Sequence, residues 1–151
     1  MMMGLGILLF TVALFLAVMG LLSHNQKPEL GLKSAALQAC PDQPNCVCSE
    51  EGGTELHTID PLAVAADPDA GWTRLERLIT DSGGTIIHHD GDYMHAEFTS
   101  LIFRFVDDLE ARLDRESGQI HLRSASRVGH SDLGANRKRV EALRMKFKAA
   151  D

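Results

Sequence analysis

Apolar and polar residues follow three different patterns along the chain. Residues 4–22 form an unbroken run of 19 uncharged, mostly apolar residues, long enough to cross a bilayer as a helix. Residues 67–80 and 133–147 repeat apolar positions at intervals of three and four, as amphipathic helices do. Residues 85–126 instead alternate around Asp-Gly and Ser-Gly dipeptides, which is typical of antiparallel hairpins.

Together these patterns predict an α+β fold. We expect an antiparallel meander sheet with helices packed on one face, preceded by a single N-terminal transmembrane helix. The chain then divides into an anchor over residues 1–22, a polar linker over 23–39 and one α+β domain over 40–151. Caps for the two amphipathic helices are offered by Asp67 or Asp69 and by Ser131 or Asp132. The apolar stripe of the last helix comprises Leu133, Asn136, Val140, Leu143 and Phe147.

The apolar run fits a retained anchor better than a cleaved signal. No Lys or Arg precedes it, and the residues after it make a poor cleavage site. Lys27 and Lys33 would by themselves keep the following domain in the cytoplasm. The cysteines favour an oxidising compartment, with Cys40 and Cys46 as the preferred disulfide pair and Cys48 left free. We therefore expect a single-pass protein of a bacterial inner membrane with a periplasmic domain.

Hairpin register assigns charged residues to the two faces of the sheet. With residues 117–118 as a two-residue turn, Asp108 lies opposite Arg127. Arg123 then lies diagonal to Glu110 on the same face. We expect these to be structural ion pairs on an exposed face, each contributing about 1 kcal/mol or less.

Asp107 is the one charged residue in the core-facing row of its strand. A buried carboxylate must be paired, hydrogen-bonded or protonated, and the expected partners are Ser126, the amides near Gly129, and Arg137. A bulge at this point would instead turn Asp107 and its neighbour outward. The candidate ligand-binding set at this strand-to-helix junction is Asp107, Ser126, Ser131, Asp132, Asn136 and Arg137.

A second polar cluster is expected around the Asp-Gly turn at residues 90–91. That turn places His88 opposite Tyr93, with His95 and Glu97 on the same face. Two histidines and a carboxylate can hold a metal ion, but such a face is more commonly solvated polar surface. The three cysteines lack the paired spacing of zinc sites, so the sequence predicts neither a metal nor a cofactor.

Charge is unevenly distributed but does not indicate a nucleic-acid partner. The net charge is -6, with residues 123–148 carrying +6 and the remainder -12. Nucleic-acid-binding domains usually have an overall basic excess, so the basic segment is expected to face the acidic part of the same domain.

Three motifs resemble those of domain-of-unknown-function family 1499, a family of small bacterial and plastid proteins. They are CPDQPNCVCS, YMHAEFTSLIFRFVDDLEARLD and IHLRSASRVGHSDLGANRKRVEALR. The resemblance covers roughly residues 40–148 and implies no particular chemistry. Cys48 departs from the family pattern, which usually has serine there, and this favours a two-cysteine disulfide over a three-cysteine metal site.

Three functions remain open at this point. The first is a non-catalytic envelope module that binds a small anion, through Arg137 and helix amides, or a membrane-protein partner. The second is a structural assembly factor for a membrane complex. The third is a hydrolase that uses Asp107 or Asp132 as a base with His95 or His130.

Overall fold

The computed structural model describes residues 2–50, 52–64 and 67–149. The outer ends of the predicted anchor and domain, at residues 1, 150 and 151, lie outside the described residues. The elements in chain order are α1 (Met2–Asn25), β1 (Leu32–Lys33), β2 (Ala36–Leu37), β3 (Cys46–Cys48), β4 (Leu62–Ala63), α2 (Pro68–Asp81), β5 (Thr85–Asp90), β6 (Tyr93–Thr99), β7 (Val106–Asp114), β8 (Gln119–Ser126) and α3 (Ala135–Ala149).

The central sheet is antiparallel, and its order confirms the predicted meander. Strands β5, β6, β7 and β8 are neighbours in chain order, β3 pairs with the free edge of β8, and β4 pairs with another part of β8. Helices α2 and α3 bury apolar residues against the same core. The α+β class with an apolar N-terminal helix is therefore confirmed.

Both predicted hairpin turns were displaced along the chain. The β7–β8 connection is the four residues 115–118, and Asp114 pairs with Gln119. The β5–β6 turn is centred on residues 91–92, so His88 pairs with His95 and not with Tyr93. Each displacement moves the pairing next to the turn by two residues, and a β-bulge between Ile86 and His88 changes the register of the rest of β5 by one residue. Since side chains alternate with a period of two, β7 and β8 keep their predicted faces.

The helical predictions hold except at the start of α3. Asp67 caps α2 by accepting hydrogen bonds from the amides of Asp69 and Ala70. Four of the five residues predicted for the α3 stripe are buried, but Leu133 is 87% exposed and precedes the helix. Its φ of 54° is not helical, and α3 begins only at Ala135, so the prediction that the helix starts at residue 133 was wrong.

The charged face of the sheet is buried, which corrects the prediction of an exposed face. The segment before β3, part of which was predicted to be a linker, covers this face at Glu110, and Glu50 just after β3 accepts from Arg112 there. The amide of Gly31 donates to Glu110 at 2.7 Å, and that of Leu37 donates to Glu50 at 3.3 Å. Glu110 is fully buried as a result. The domain boundary at residue 40 stays a prediction.

The ion pairs on this face therefore lie in the interior. Arg123 donates to Glu110 at 2.8 Å, and Arg127 donates to Asp108 at 2.7 and 2.8 Å. The Tyr93 hydroxyl also donates to Glu110, at 2.8 Å. An isolated buried carboxylate is costly, so these donors are what makes burial of the face possible.

Helix α1 packs against the end of the sheet from which β7 starts. The α1 residues shielded from solvent follow one helical stripe, Leu16, Met19, Gly20 and Ser23. The Ser23 hydroxyl accepts a hydrogen bond from the Val106 amide at 3.1 Å. A Cβ atom at Gly20 would lie 1.7 Å from the Phe103 carbonyl oxygen, so only glycine permits this close approach.

We predict that Arg123→Met lowers the free energy of unfolding by about 3–5 kcal/mol, because it leaves Glu110 buried without its cation. The control is Arg115→Met on the same hairpin, whose exposed pairs with Asp69 and Asp92 should matter little. Urea unfolding of both variants measures the difference. Equal, small effects would show that the face is solvated.

Candidate functional site

Asn136 is the centre of the predicted strand-to-helix junction. It is fully buried at the start of α3. Its amide nitrogen donates to the Ser126 hydroxyl, the Asn45 carbonyl and the Asp132 carboxylate, at 2.9 to 3.0 Å. Its amide oxygen accepts from the Ser124 hydroxyl at 2.6 Å. One side chain thus joins β8, α3 and the residue before β3.

The loop between β8 and α3 is closed by short-range hydrogen bonds. The Asp132 carboxylate accepts from the amides of Gly134 and Asn136, at 2.9 and 2.7 Å, which is the role of a helix cap. The Ser131 hydroxyl accepts from the Leu133 amide at 3.3 Å. Asp132 therefore caps the first turn of α3, and its carboxylate is engaged there.

Asp107 is paired with Arg139, whereas the sequence pattern had indicated Arg137 as the partner. The distance from Arg139 Nη2 to the carboxylate is 2.6 Å, and the guanidinium also lies 4.6 Å from the Phe98 ring centroid. The signal was available, because Arg139 lies three residues after Asn136 and so shares its helix face. β7 pairs through Asp107 without a break, so no bulge turns this carboxylate outward.

Arg137 turns away from the junction. Its two terminal nitrogens donate to the carbonyls of Thr58 and Leu56, at 3.1 and 2.8 Å. These bonds attach α3 to the loop before β4. The cation expected to attract an anion is therefore directed elsewhere.

A cavity of about 460 Å³ lies between α1 and the junction. We call it the α1 cavity. Its walls come from α1, from the β6–β7 loop at residues 100–105 and from the β8–α3 loop at residues 127–134. Asp107, Ser126, Ser131 and Asp132 of the predicted set line it, whereas Asn136 and Arg137 do not. The apolar lining includes Phe15, Leu16, Met19, Phe103, Phe105 and Val128.

The polar residues of the α1 cavity already have partners within the protein. Ser126 accepts from Asn136, Asp107 is paired with Arg139, and Asp132 holds the amides of α3. Because their hydrogen bonds close on one another, they contribute little unsatisfied polarity to the cavity. What the cavity offers a ligand is mainly apolar surface.

The second predicted cluster lies on the opposite, charged face. His95, Glu97 and Asp108 bring potential metal-ligand atoms within 4.8 Å of one another. However, the Arg127 guanidinium donates to both carboxylates, and His95 Nε2 lies 2.8 Å from Asp108. A guanidinium thus supplies the positive charge that a metal ion would supply here.

The pairings required for the hydrolase hypothesis are not assembled. His95 contacts Asp108 on one face of the sheet, whereas Asp107 points to the other. His130 is exposed. Within residues 67–149, no hydrogen bond or ion pair joins it to Asp107 or Asp132. Among the described residues, neither His95 nor His130 is therefore hydrogen-bonded to Asp107 or Asp132.

Cys40 and Cys46 lie at disulfide distance, with their Cα atoms 5.6 Å apart. Cys48 is free and buried, and burial raises the pKa of its thiol. A thiol in that environment stays protonated at neutral pH and is a poor nucleophile. The positions of the three cysteines thus fit structural roles.

A protein-family model described as "Protein of unknown function (DUF1499)" matches residues 36–147. The chain therefore belongs to the DUF1499 family, as its motifs predicted. No curated protein and no solved structure matches the chain. The family description names no activity, so a function has to be argued from the geometry.

We predict that stability decreases as the pH falls below about 4, in part because of Asp108. Burial opposes ionisation of Asp108, but hydrogen bonds from Arg127 and His95 outweigh it and lower the pKa of the carboxyl group. A depressed folded-state pKa gives stability above the unfolded pKa, and this stability is lost as pH falls through the folded value.

Urea unfolding between pH 2 and 7 tests this expectation. Asp108→Asn should destabilise the protein at pH 7 and flatten the acid limb of the stability curve. Asp69→Asn, at an exposed position beside Arg115, is the matched control and should leave the curve nearly unchanged. An acid limb unaltered by Asp108→Asn would contradict the assignment.

Proposed function

We propose that this DUF1499 protein is a membrane-anchored, non-catalytic binding module that holds one acyl chain of a membrane lipid in the α1 cavity. The observation that carries the proposal is the apolar cavity shared by the anchor helix and the strand-to-helix junction. Its volume falls in the usual range of small-molecule sites, which are mostly apolar with a few polar groups.

The composition of the cavity favours a chain over an anion. Its titratable lining groups are the carboxylates of Asp107 and Asp132, and the negative charge of an anionic ligand beside them would be unfavourable. The nearest cation with a defined role, Arg139, is already neutralised by Asp107. A saturated chain requires no polar partner, so binding it in this cavity leaves no polar group of the ligand unsatisfied.

The cavity lies beside the helix that would cross the membrane, so membrane lipids are a nearby source of the ligand. Residues Gly6–Asn25 form a helix long and apolar enough to cross a membrane, and Phe15, Leu16 and Met19 of that helix form one wall. The same length and composition would suit a signal sequence. Retention as an anchor is supported by the close packing at Gly20 and Ser23, which removal of α1 would abolish together with the cavity wall.

The cysteines support a periplasmic location for the domain. A disulfide between Cys40 and Cys46 persists in the periplasm and is rare in the cytosol. We therefore place the domain on the periplasmic side of a bacterial inner membrane. An alkaline-phosphatase fusion after residue 151 should be active. An inactive fusion with normal expression would overturn this orientation.

Photolabelling tests whether an acyl chain occupies the α1 cavity. The full chain is placed in nanodiscs of phosphatidylcholine and phosphatidylglycerol that contain palmitic acid with a terminal diazirine. We predict labelling of Phe103, Phe105 and Val128, in addition to the general labelling of the outer surface of α1. Mass spectrometry of peptides measures the labelling of the cavity residues and of the outer surface of α1. Labelling confined to the outer surface of α1 would contradict the proposal.

Two variants sharpen the same experiment. Val128→Trp fills the cavity and should reduce labelling of the two phenylalanines by about tenfold, equivalent to about 1.4 kcal/mol. Val18→Trp places the same ring on an exposed position of α1, on the side of the helix away from Leu16 and Gly20, and should leave that labelling unchanged. Equal labelling in the two variants would exclude the cavity as the site.

A further inference from the structure

We infer that the domain makes a second contact with the bilayer, through Leu101 and Ile102 of the β6–β7 loop and Leu133 of the β8–α3 loop, which enter the hydrocarbon of the leaflet on the domain side. The inference rests on retention of α1 as a membrane span, which is part of the proposed function. It does not require a lipid in the α1 cavity.

The three side chains are unusually exposed for large aliphatic residues. Their exposed fractions are 92%, 81% and 87% for Leu101, Ile102 and Leu133. They lie on two separate connections of the fold that meet at one end of the sheet, since both connections line the α1 cavity. Exposed apolar residues concentrated at one place mark an interaction surface more often than scattered ones do.

The position of this surface along α1 identifies the partner as lipid. The cavity walls formed by the two loops face Phe15, Leu16 and Met19 of α1, and the apolar run of the helix ends at Leu22. At 1.5 Å per residue, Leu16 lies about 9 Å before that end. Loops packed beside residues 15–19 must therefore lie alongside hydrocarbon when α1 spans a bilayer.

Backbone conformation holds the aliphatic residues in this position. Leu133 has a φ of 54° and Arg104 a φ of 60°, in the left-handed region that residues with a Cβ seldom occupy. Such strain persists where the surroundings enforce it and clusters at functional sites. Arg104 is exposed beside the aliphatic pair, and its side chain is long enough to reach the headgroups from within the leaflet.

Tryptophan quenching by brominated lipid tests the contact in the full chain. The protein has one native tryptophan, Trp72, which is buried in the core and gives a constant background. Leu101→Trp and Leu133→Trp are made in separate proteins and reconstituted in phosphatidylcholine with or without bromine on the acyl chains. We expect strong quenching of the added tryptophan in both, because bromine quenches only rings that reach the chains.

Two further positions serve as controls. Met145→Trp is also an exposed apolar position, but it lies ten residues along α3 from Ala135 at the cavity, about 15 Å away, and should not be quenched. Phe10→Trp, on the exposed surface of α1, reports whether the helix spans the bilayer and should be quenched.

Each outcome decides one claim. If Phe10→Trp is quenched while Leu101→Trp or Leu133→Trp behaves like Met145→Trp, the second contact is refuted and the anchor stands. If Phe10→Trp is not quenched, the anchor and the second contact both fail. If Leu101→Trp is quenched but the palmitic acid probe does not label Val128, the contact stands and the cavity function fails.

Discussion

The fold depends on neutralising a row of carboxylates on a sheet that is covered on both sides. One face of β6, β7 and β8 is apolar and lies under α2 and α3. The other carries the buried carboxylates of Asp108 and Glu110, which are paired with Arg127 and Arg123, and Gly31 of the segment before β3 donates to Glu110. If the arginines were absent, burial of this face would carry the full desolvation cost of each carboxylate. The basic segment at residues 123–127 is thus part of the interior.

The sequence predicted the faces of the sheet better than the turns. Hairpin register could be wrong by two residues at residues 117–118 without moving any side chain to the other face, because the pleat repeats every two residues. What periodicity could not reveal was coverage of the charged face, since alternation of polar and apolar residues reads as a solvent-exposed surface. The hydrogen bond from Gly31 to Glu110 joins residues 79 apart in sequence, a tertiary contact with no local signal.

The junction shows the same distinction between local and tertiary information. Its capping chemistry at Asp132 was readable from a short polar sequence before an amphipathic segment. The sequence predicted Arg137 as the partner of Asp107, and this was wrong, because the partner is Arg139. Both arginines lie on the first turns of α3 and differ only in the direction in which their side chains point. The 3.6-residue period places Arg139 on the face of Asn136 and leaves Arg137 free to hold the loop at Leu56 and Thr58.

Helix α1 is packed directly against the start of β7, so a movement of α1 acts on the rest of the fold. Gly20 touches the carbonyl of Phe103, and the amide of Val106, which begins β7, donates to Ser23. The next residue of β7 is Asp107, whose pairing with Arg139 connects it to α3 and to Asn136. A shift of α1 in depth or tilt therefore acts on the start of β7 and, through it, on the junction that closes the cavity. A flexible linker would have separated the two parts, whereas direct packing couples them.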